Sequence, residues 1–301
     1  MLIHETKTTL GELKINVLDL FNNQDLVAKT GIENVYETKN NTVDLALLAC
    51  EKLEFDKKLI NLLVFVTQSP DYYLPSSSII LASKYQINKN CLTFDINQGC
   101  SGFVQALCIV EKITKSYNNI LLVTADRYRS KLDKSDRSTN AVFSDGASAN
   151  IILHDDNHGI IYEDHFVDGS FKNLLYQSTN SDENKGFLHM SGAEIWVFTR
   201  LNVVPQIEKA YKFCEDNKLE IEGVYIHQAS KVVVDGIKSL LPKISEKIYE
   251  NYQKIGNTVS SSIPFLLNDF KINLKKQNSV IILAGFGVGL TSTVLIYGKK
   301  N

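Results

Sequence analysis

The stretch DINQGCSGFVQAL, residues 95–107, sets Cys100 between Gly99 and Gly102, where an apolar run gives way to a helical pattern. Phe103, Leu107 and Val110 recur at helical spacing, so a helix opens at the cysteine. A thiol there faces the positive end of the helix dipole, which favours thiolate, and the glycines permit a sharp turn and close approach of a substrate. Alone this is weak evidence, because a free cysteine in an apolar setting is ordinarily filler. Two later segments add to it. VYIHQAS puts His227 directly after an apolar strand, and IGNTVSSSIP puts Asn257 after a glycine and before small hydroxylated residues. Each has an ordinary reading, a half-buried histidine bonded to backbone and a turn asparagine ahead of a helix cap. Together they have a chemical logic: a thiolate attacks an acyl carbonyl while imidazole and carboxamide donate to an oxygen that becomes negative. The glycine-rich GFGVGLT, residues 285–291, offers a backbone N–H to a second such oxygen.

Positioning these groups falls to alternating elements. LINLLVFVT (59–67), CLTFDI (91–96), NNILLVTAD (118–126) and ASANIILHD (147–155) read as buried strands. Helical patterns lie between them, as in SSSIILASKYQ, which indicates βαβ units and a mixed or parallel sheet. The second half repeats the scheme: a helical AEIWVFTRLNVVPQIEKAYKF, a strand EGVYIHQAS, a helix KVVVDGIKSLL and a final strand–loop–strand. The turn at 155–159 is the expected boundary, dividing the chain into 1–157 and 158–301. The halves share element order without obvious sequence identity.

At 301 residues the chain has room for two ordinary domains or one large duplicated one. A 44% hydrophobic and 22% charged composition fits a soluble globular core. Net charge is −2, so no global basic field points to nucleic acid or an anionic membrane. The N-terminal MLIHETKTTLGELK lacks an apolar core of signal-peptide length, and the five cysteines show no CxxC spacing, which reads as reduced thiols in a cytoplasm. VIILAGFGVGLTSTVLIY (280–297) is long enough to span a membrane, yet its glycines and TST argue for two strands joined by a tight loop. HDDNH, with His154 and His158 around two carboxylates, reads as a turn and not a metal cluster.

In order along the chain, TQSPDYYLPSSS, DINQGCSGF, DRSTNAVFSDGASA, IHQAS, GNTVSSSIP and AGFGVGLT resemble the β-ketoacyl-acyl-carrier-protein synthase III family of the thiolase-like superfamily. The resemblance runs from KTGI (29–32) to the C-terminus. It implies a thiolase-like α/β fold of two similar halves, stacked as five layers αβαβα with mixed five-stranded sheets, in a homodimer without cofactor or metal. It also implies acylation of Cys100 from an acyl thioester of CoA or acyl carrier protein, with oxyanion donors from Cys100 and the loop Gly287, Val288 and Gly289. His227 and Asn257 then bind a malonyl-carrier thioester and stabilise the enolate formed as carbon dioxide leaves. By the same resemblance Leu74 reaches into the partner's acyl pocket, Phe286 lies beside the oxyanion loop, and Arg137 stacks on the CoA adenine. Trp196 and Phe198 lie where they would set the pocket volume, Ser230 follows the histidine, and Lys231 and Lys238 read either as a carrier-docking patch or as ordinary exposed lysines.

The departures fall mainly on the CoA face. A tryptophan position holds Asp25, an arginine position holds Glu33, the HQAN motif reads HQAS, and the middle of a triple glycine is Val288, whose N–H serves only if its φ is negative. Weakened CoA binding points to a carrier-bound donor or an unusual thioester, and to a specialised pathway. Two rivals share the fold: transfer of the acyl group to a hydroxyl or amine, and a non-catalytic partner subunit of a ketosynthase.

Overall fold

The computed structural model describes residues 1–179, 186–271, 274 and 276–300. Five strands build a first sheet: β1 (Leu2–Leu10), β2 (Leu62–Val66), β3 (Leu92–Ile96), β4 (Asn119–Asp126) and β5 (Gly146–Leu153). Their order is β1-β5-β4-β2-β3, antiparallel at β1/β5 and β5/β4 and parallel at β4/β2 and β2/β3. A second sheet holds β6 (His158–Val167), β7 (Glu220–Ile226), β8 (Ser279–Gly287) and β9 (Thr291–Lys299) in the order β7-β8-β9-β6. Its β7/β8 pair is parallel and the other two pairs are antiparallel, so both sheets follow one plan. Five strands were expected in each sheet; among the described residues the second has no counterpart of β3.

Helices α1 (Thr42–Cys50) and α2 (Ser77–Lys84) cover the outer face of the first sheet, where Leu45, Ala49 and Leu81 meet Leu63, Phe65 and Val123. Helix α3 (Gly102–Ile113) lies between the sheets, while α4 (Val204–Asp216) and α5 (Lys231–Leu240) cover the outer face of the second. Helix α6 (Ser262–Asp269) completes the middle layer beside α3. Helix, sheet, helix, sheet, helix is the layering of a thiolase-like fold. Being covered on both faces explains why β2, β4 and β8 read as continuous apolar runs: Leu62, Val64 and Val66 face the middle layer, and Leu63 and Phe65 the outer helices. The helical run expected over 193–213 is interrupted by a π-helical turn at Thr199–Val203, just before Pro205. Pro205 has no N–H to donate one turn back, and the wider turn accommodates that loss. The apolar stretch 280–297 is the β8–β9 hairpin, and no described helix is long and apolar enough to cross a membrane. At HDDNH, the Asp155 carboxylate accepts from the backbone N–H groups of Asn157 and His158, closing the turn.

The repeated plan reaches individual residues. Helix α3 is preceded by a 3₁₀ turn at Gly99–Ser101, and α6 by a 3₁₀ turn at Val259–Ser261. Gly99 and Val259 open these turns with φ of +50° and +54°. NQGCSG (97–102) therefore matches NTVSSS (257–262), pairing Asn97 with Asn257 and Cys100 with Ser260.

The second of these turns and the loop after β2 are tied to the end of β4. The Asp126 carboxylate, fully buried, accepts from the Gln68 backbone N–H at 2.8 Å and from the Ser260 hydroxyl, and Thr124 bonds the Ser261 hydroxyl at 2.7 Å. Nearby, Asp71 accepts from the N–H groups of Thr42 and Val43, and Asp95 from those of Ser77 and Ser78. These carboxylates satisfy helix N-termini and fix the loop between β2 and α2. Replacing Asp126 by Asn sets an NH₂ donor among other donors, so Asp126→Asn should lower the unfolding free energy by about 2–3 kcal/mol in urea titration. A change near zero would dismiss the clamp.

Candidate active site

Cys100 sits in the turn ahead of α3, 5% exposed. Gly287, with φ +155°, passes so close that a Cβ there would lie 2.9 Å from Cys100 Cβ and 3.2 Å from its Sγ. Only glycine lets β8 end against the thiol. Val288 next to it keeps a negative φ, so the condition for its backbone donor is met, while Gly289 takes +134°. One sequence expectation is reversed: the thiol is not held as thiolate. Burial pushes its pKa up and the nearby Asp126 carboxylate adds to the rise, against a smaller lowering by a backbone hydrogen bond. The group is a neutral thiol in this state.

His227, 2% exposed, follows β7, and its backbone N–H extends the sheet by donating to Ala284. Its Nδ1 lies 2.7 Å from the Ser262 hydroxyl and its ring stands edge-on to Phe286 with centroids 5.5 Å apart. Burial lowers its pKa to about 3, so the imidazole is neutral. The tautomer in which the serine O–H donates to Nδ1 carries its proton on Nε2, a nitrogen without a hydrogen-bond partner among the described residues.

Asn257 is held three ways. Its N–H donates to Val142, its carbonyl accepts from Ser144, and its Oδ1 accepts from the Val259 N–H at 2.9 Å. The last bond supports a β-branched residue at positive φ, a strained conformation, and leaves Nδ2 uncommitted. Neither His227 Nε2 nor Asn257 Nδ2 is sealed from solvent. The Gly99–Ser101 turn touches both the Val259–Ser261 turn and β8, so the three segments named from sequence meet.

The remaining predicted residues divide. Phe286 and Phe198 are buried in the same apolar cluster as Cys100, with Phe198 packed on Phe166. Trp196 is partly buried and lies across Gly236 of α5, where a Cβ would collide with its ring. Ser230 precedes α5 without a side-chain capping bond. Arg137 is exposed at the start of a short helix. Leu74 is 87% exposed. Lys231 is exposed, but Lys238 pairs with Glu250 at 2.6 Å, which narrows the expected docking patch to Lys231. Sequence reasoning missed Ser262, Asp126, Gln68 and Tyr128; a polar residue directly after an apolar strand, as in VFVTQS, was the available signal. It also missed Cys108, Glu163 and His165, which bring one ligand-type atom each within 4.8 Å of one another. Glu163 is paired there with Lys112 and His165 with Thr293.

Two half-repeats enclosing a cysteine turn define a thiolase-like acyltransferase. Family models for 3-oxoacyl-[acyl-carrier-protein (ACP)] synthase III and for its C-terminal region match residues 94–169 and 215–298. The β-ketoacyl-[acyl-carrier-protein] synthase III of Campylobacter fetus is 33% identical over 296 residues, covering 91% of this chain and 90% of that one. The enzyme of the same name from Clostridium acetobutylicum is 35% identical, covering 90% and 89%. A crystal structure of a 3-oxoacyl-(acyl-carrier-protein) synthase III superposes with a TM-score of 0.87 at 24% identity over 98% of each chain, which shows the fold. The chain belongs to the 3-oxoacyl-[acyl-carrier-protein] synthase III family, and is a β-ketoacyl synthase III-like condensing acyltransferase.

The buried neutral His227 has a pH signature. Its folded pKa is about 3 and its unfolded value about 6.5, so the unfolded chain binds the extra proton between these limits. Stability from this group is complete above pH 6.5 and is lost as pH falls. The difference in unfolding free energy between wild type and His227→Gln should therefore shrink by about 1.4 kcal/mol per pH unit from pH 6 to 4. A difference independent of pH would show an accessible imidazole instead.

Proposed function

We propose that the protein forms carbon–carbon bonds by decarboxylative condensation, with Cys100 carrying the acyl group and His227 and Asn257 binding the malonyl-carrier thioester. The observation carrying this reading is the meeting of the cysteine turn with Gly287 and with the turn after Asn257, while His227 and Asn257 each keep one donor uncommitted. In the first step the Cys100 sulfur attacks the thioester carbonyl and the donor thiol leaves, taking the proton Cys100 gives up. Backbone N–H groups of Cys100 and of the Gly287–Gly289 loop hold the oxyanion. In the second, the malonyl C–C bond breaks, carbon dioxide departs, and its electron pair forms an enolate whose oxygen accepts from His227 Nε2 and Asn257 Nδ2. The enolate carbon attacks the acyl group, the C–S bond breaks, and the Cys100 sulfur takes up a proton. Neutral donors suit this step, because decarboxylation replaces deprotonation of carbon.

The donor we assign is an acyl-carrier thioester in a specialised, cytoplasmic pathway. Asp25 and Glu33 are exposed carboxylates where the resemblance places CoA contacts, and they repel its phosphates. Lys231, exposed at the start of α5, is the cation for carrier docking. A second copy of the chain completes the enzyme. Among the described residues strand β3 ends its sheet unpaired on one side, and Tyr73, Leu74, Ile79 and Leu92 around it are 87%, 87%, 53% and 45% exposed.

Acyl-carrier thioester should add one acyl mass at Cys100, and Cys100→Ala should abolish it. Asn257→Ala should still be acylated yet release carbon dioxide from malonyl-carrier about 100-fold more slowly. Faster labelling by acyl-CoA would overturn the donor assignment, and no labelling would overturn the reading. In sedimentation the wild type should run as a dimer and Leu74→Asp as a monomer; a monomeric wild type contradicts the assembly.

A further inference from the structure

We propose that the acyl group accepted by Cys100 carries a hydroxyl substituent, bound in a polar cavity formed by Gln68, Asn97 and Tyr128. This rests on the acyl-enzyme reading above and goes on to name its substrate class. The cavity measures about 300 Å³, and its walls also include Leu175, Leu188 and Val288. Two of its lining residues lie next to the neighbours of Cys100. Gln68 Oε1 occupies the space a side chain on Gly99 would need, and Val288 follows the glycine that touches the Cys100 sulfur.

The polar wall is linked by two hydrogen bonds, with Tyr128 buried and Asn97 at the exposed rim. The Tyr128 hydroxyl donates to Gln68 Oε1 at 2.7 Å, and Gln68 Nε2 donates to Asn97 Oδ1 at 2.8 Å. Tyr128 is only 6% exposed, is packed on Phe143, and is pushed to a higher pKa by burial, so it stays a donor. On these three residues the two bonds leave the second N–H of Gln68, the amide N–H groups of Asn97, and the lone pairs of the Tyr128 oxygen, beside the Lys172, Tyr176 and Gln177 side chains that also line the cavity. A plain alkyl chain would cover them without replacing their bonds to water, at about 1–3 kcal/mol for each group left unmet. A hydroxyl supplies both a donor and an acceptor, and Leu175 and Leu188 receive the methylenes. The choice of a polar acyl group follows from this asymmetry.

The test compares pantetheine thioesters of butyrate with those of 2-, 3- and 4-hydroxybutyrate, which share chain length and lack the nucleotide. Cys100 acylation is followed by intact-protein mass. At least one hydroxy isomer should acylate the wild type about 10-fold faster than butyryl. Gln68→Leu and Tyr128→Phe should each collapse or reverse that ratio, and Tyr128→Phe keeps the buried ring in place. Butyryl faster than every isomer, equal rates, or an unchanged ratio in both variants would overturn the polar pocket while leaving the acyl-enzyme standing. Labelling by none of these thioesters nor by acyl-carrier would overturn the acyl-enzyme reading and this inference with it.

Discussion

Burying the Asp126 carboxylate between the two halves is costly unless donors surround it, and the donors it has come from the segments that hold the site. The Gln68 N–H belongs to the loop after β2, and the Ser260 hydroxyl belongs to the turn after Asn257. The carboxylate pKa rises to about 6 through burial, with these hydrogen bonds opposing the rise. One charge therefore sets two loops from distant parts of the chain. The same charge acts on Cys100, where it reinforces burial in keeping the thiol protonated.

Neutrality is the common property of the groups around the sulfur. His227 is kept uncharged by burial and oriented by Ser262, and Asn257 is oriented by the strained Val259 turn. Charged groups in their place would each add a desolvation cost that neutral ones avoid. Preoriented neutral dipoles need little rearrangement as charge develops. Strain at Val259 is tolerated because the surrounding contacts determine it: its side chain is fully buried and its N–H is held.

Much of this was legible in sequence, for a physical reason. Strands buried on both faces appear as unbroken apolar runs, so β2, β4 and β8 were evident, whereas Gln68 just past β2 and Asp126 at the end of β4 were passed over. Strand β1 was not found, because LIHETKTTL mixes polar and apolar residues on a half-exposed edge strand. Strand β6 was missed on similar grounds, its outer positions being exposed. The thiol's protonation was misjudged because spacing reveals a helix dipole but not how deeply the sulfur is buried, nor a carboxylate 26 residues further along the chain. Lys238 looked available until Glu250 came beside it through folding.

The repeat between NQGCSG and NTVSSS shows how one backbone device serves two tasks. In each half a residue at positive φ opens a 3₁₀ turn that hands the chain to a middle-layer helix. In the first half the position after it holds the thiol; in the second it holds Ser260, whose hydroxyl is spent on Asp126. The asparagine two residues before each opening has diverged in parallel. Asn257 turns its oxygen onto its own turn and keeps its amide nitrogen uncommitted, while the Asn97 oxygen accepts from Gln68 at the acyl cavity. Gly99 permits Gln68 to approach where Val259 would exclude it, since any side chain at Gly99 would strike the amide. The glycine beside Cys100 thus makes room for the Gln68 amide, which no residue with a side chain at that position would admit.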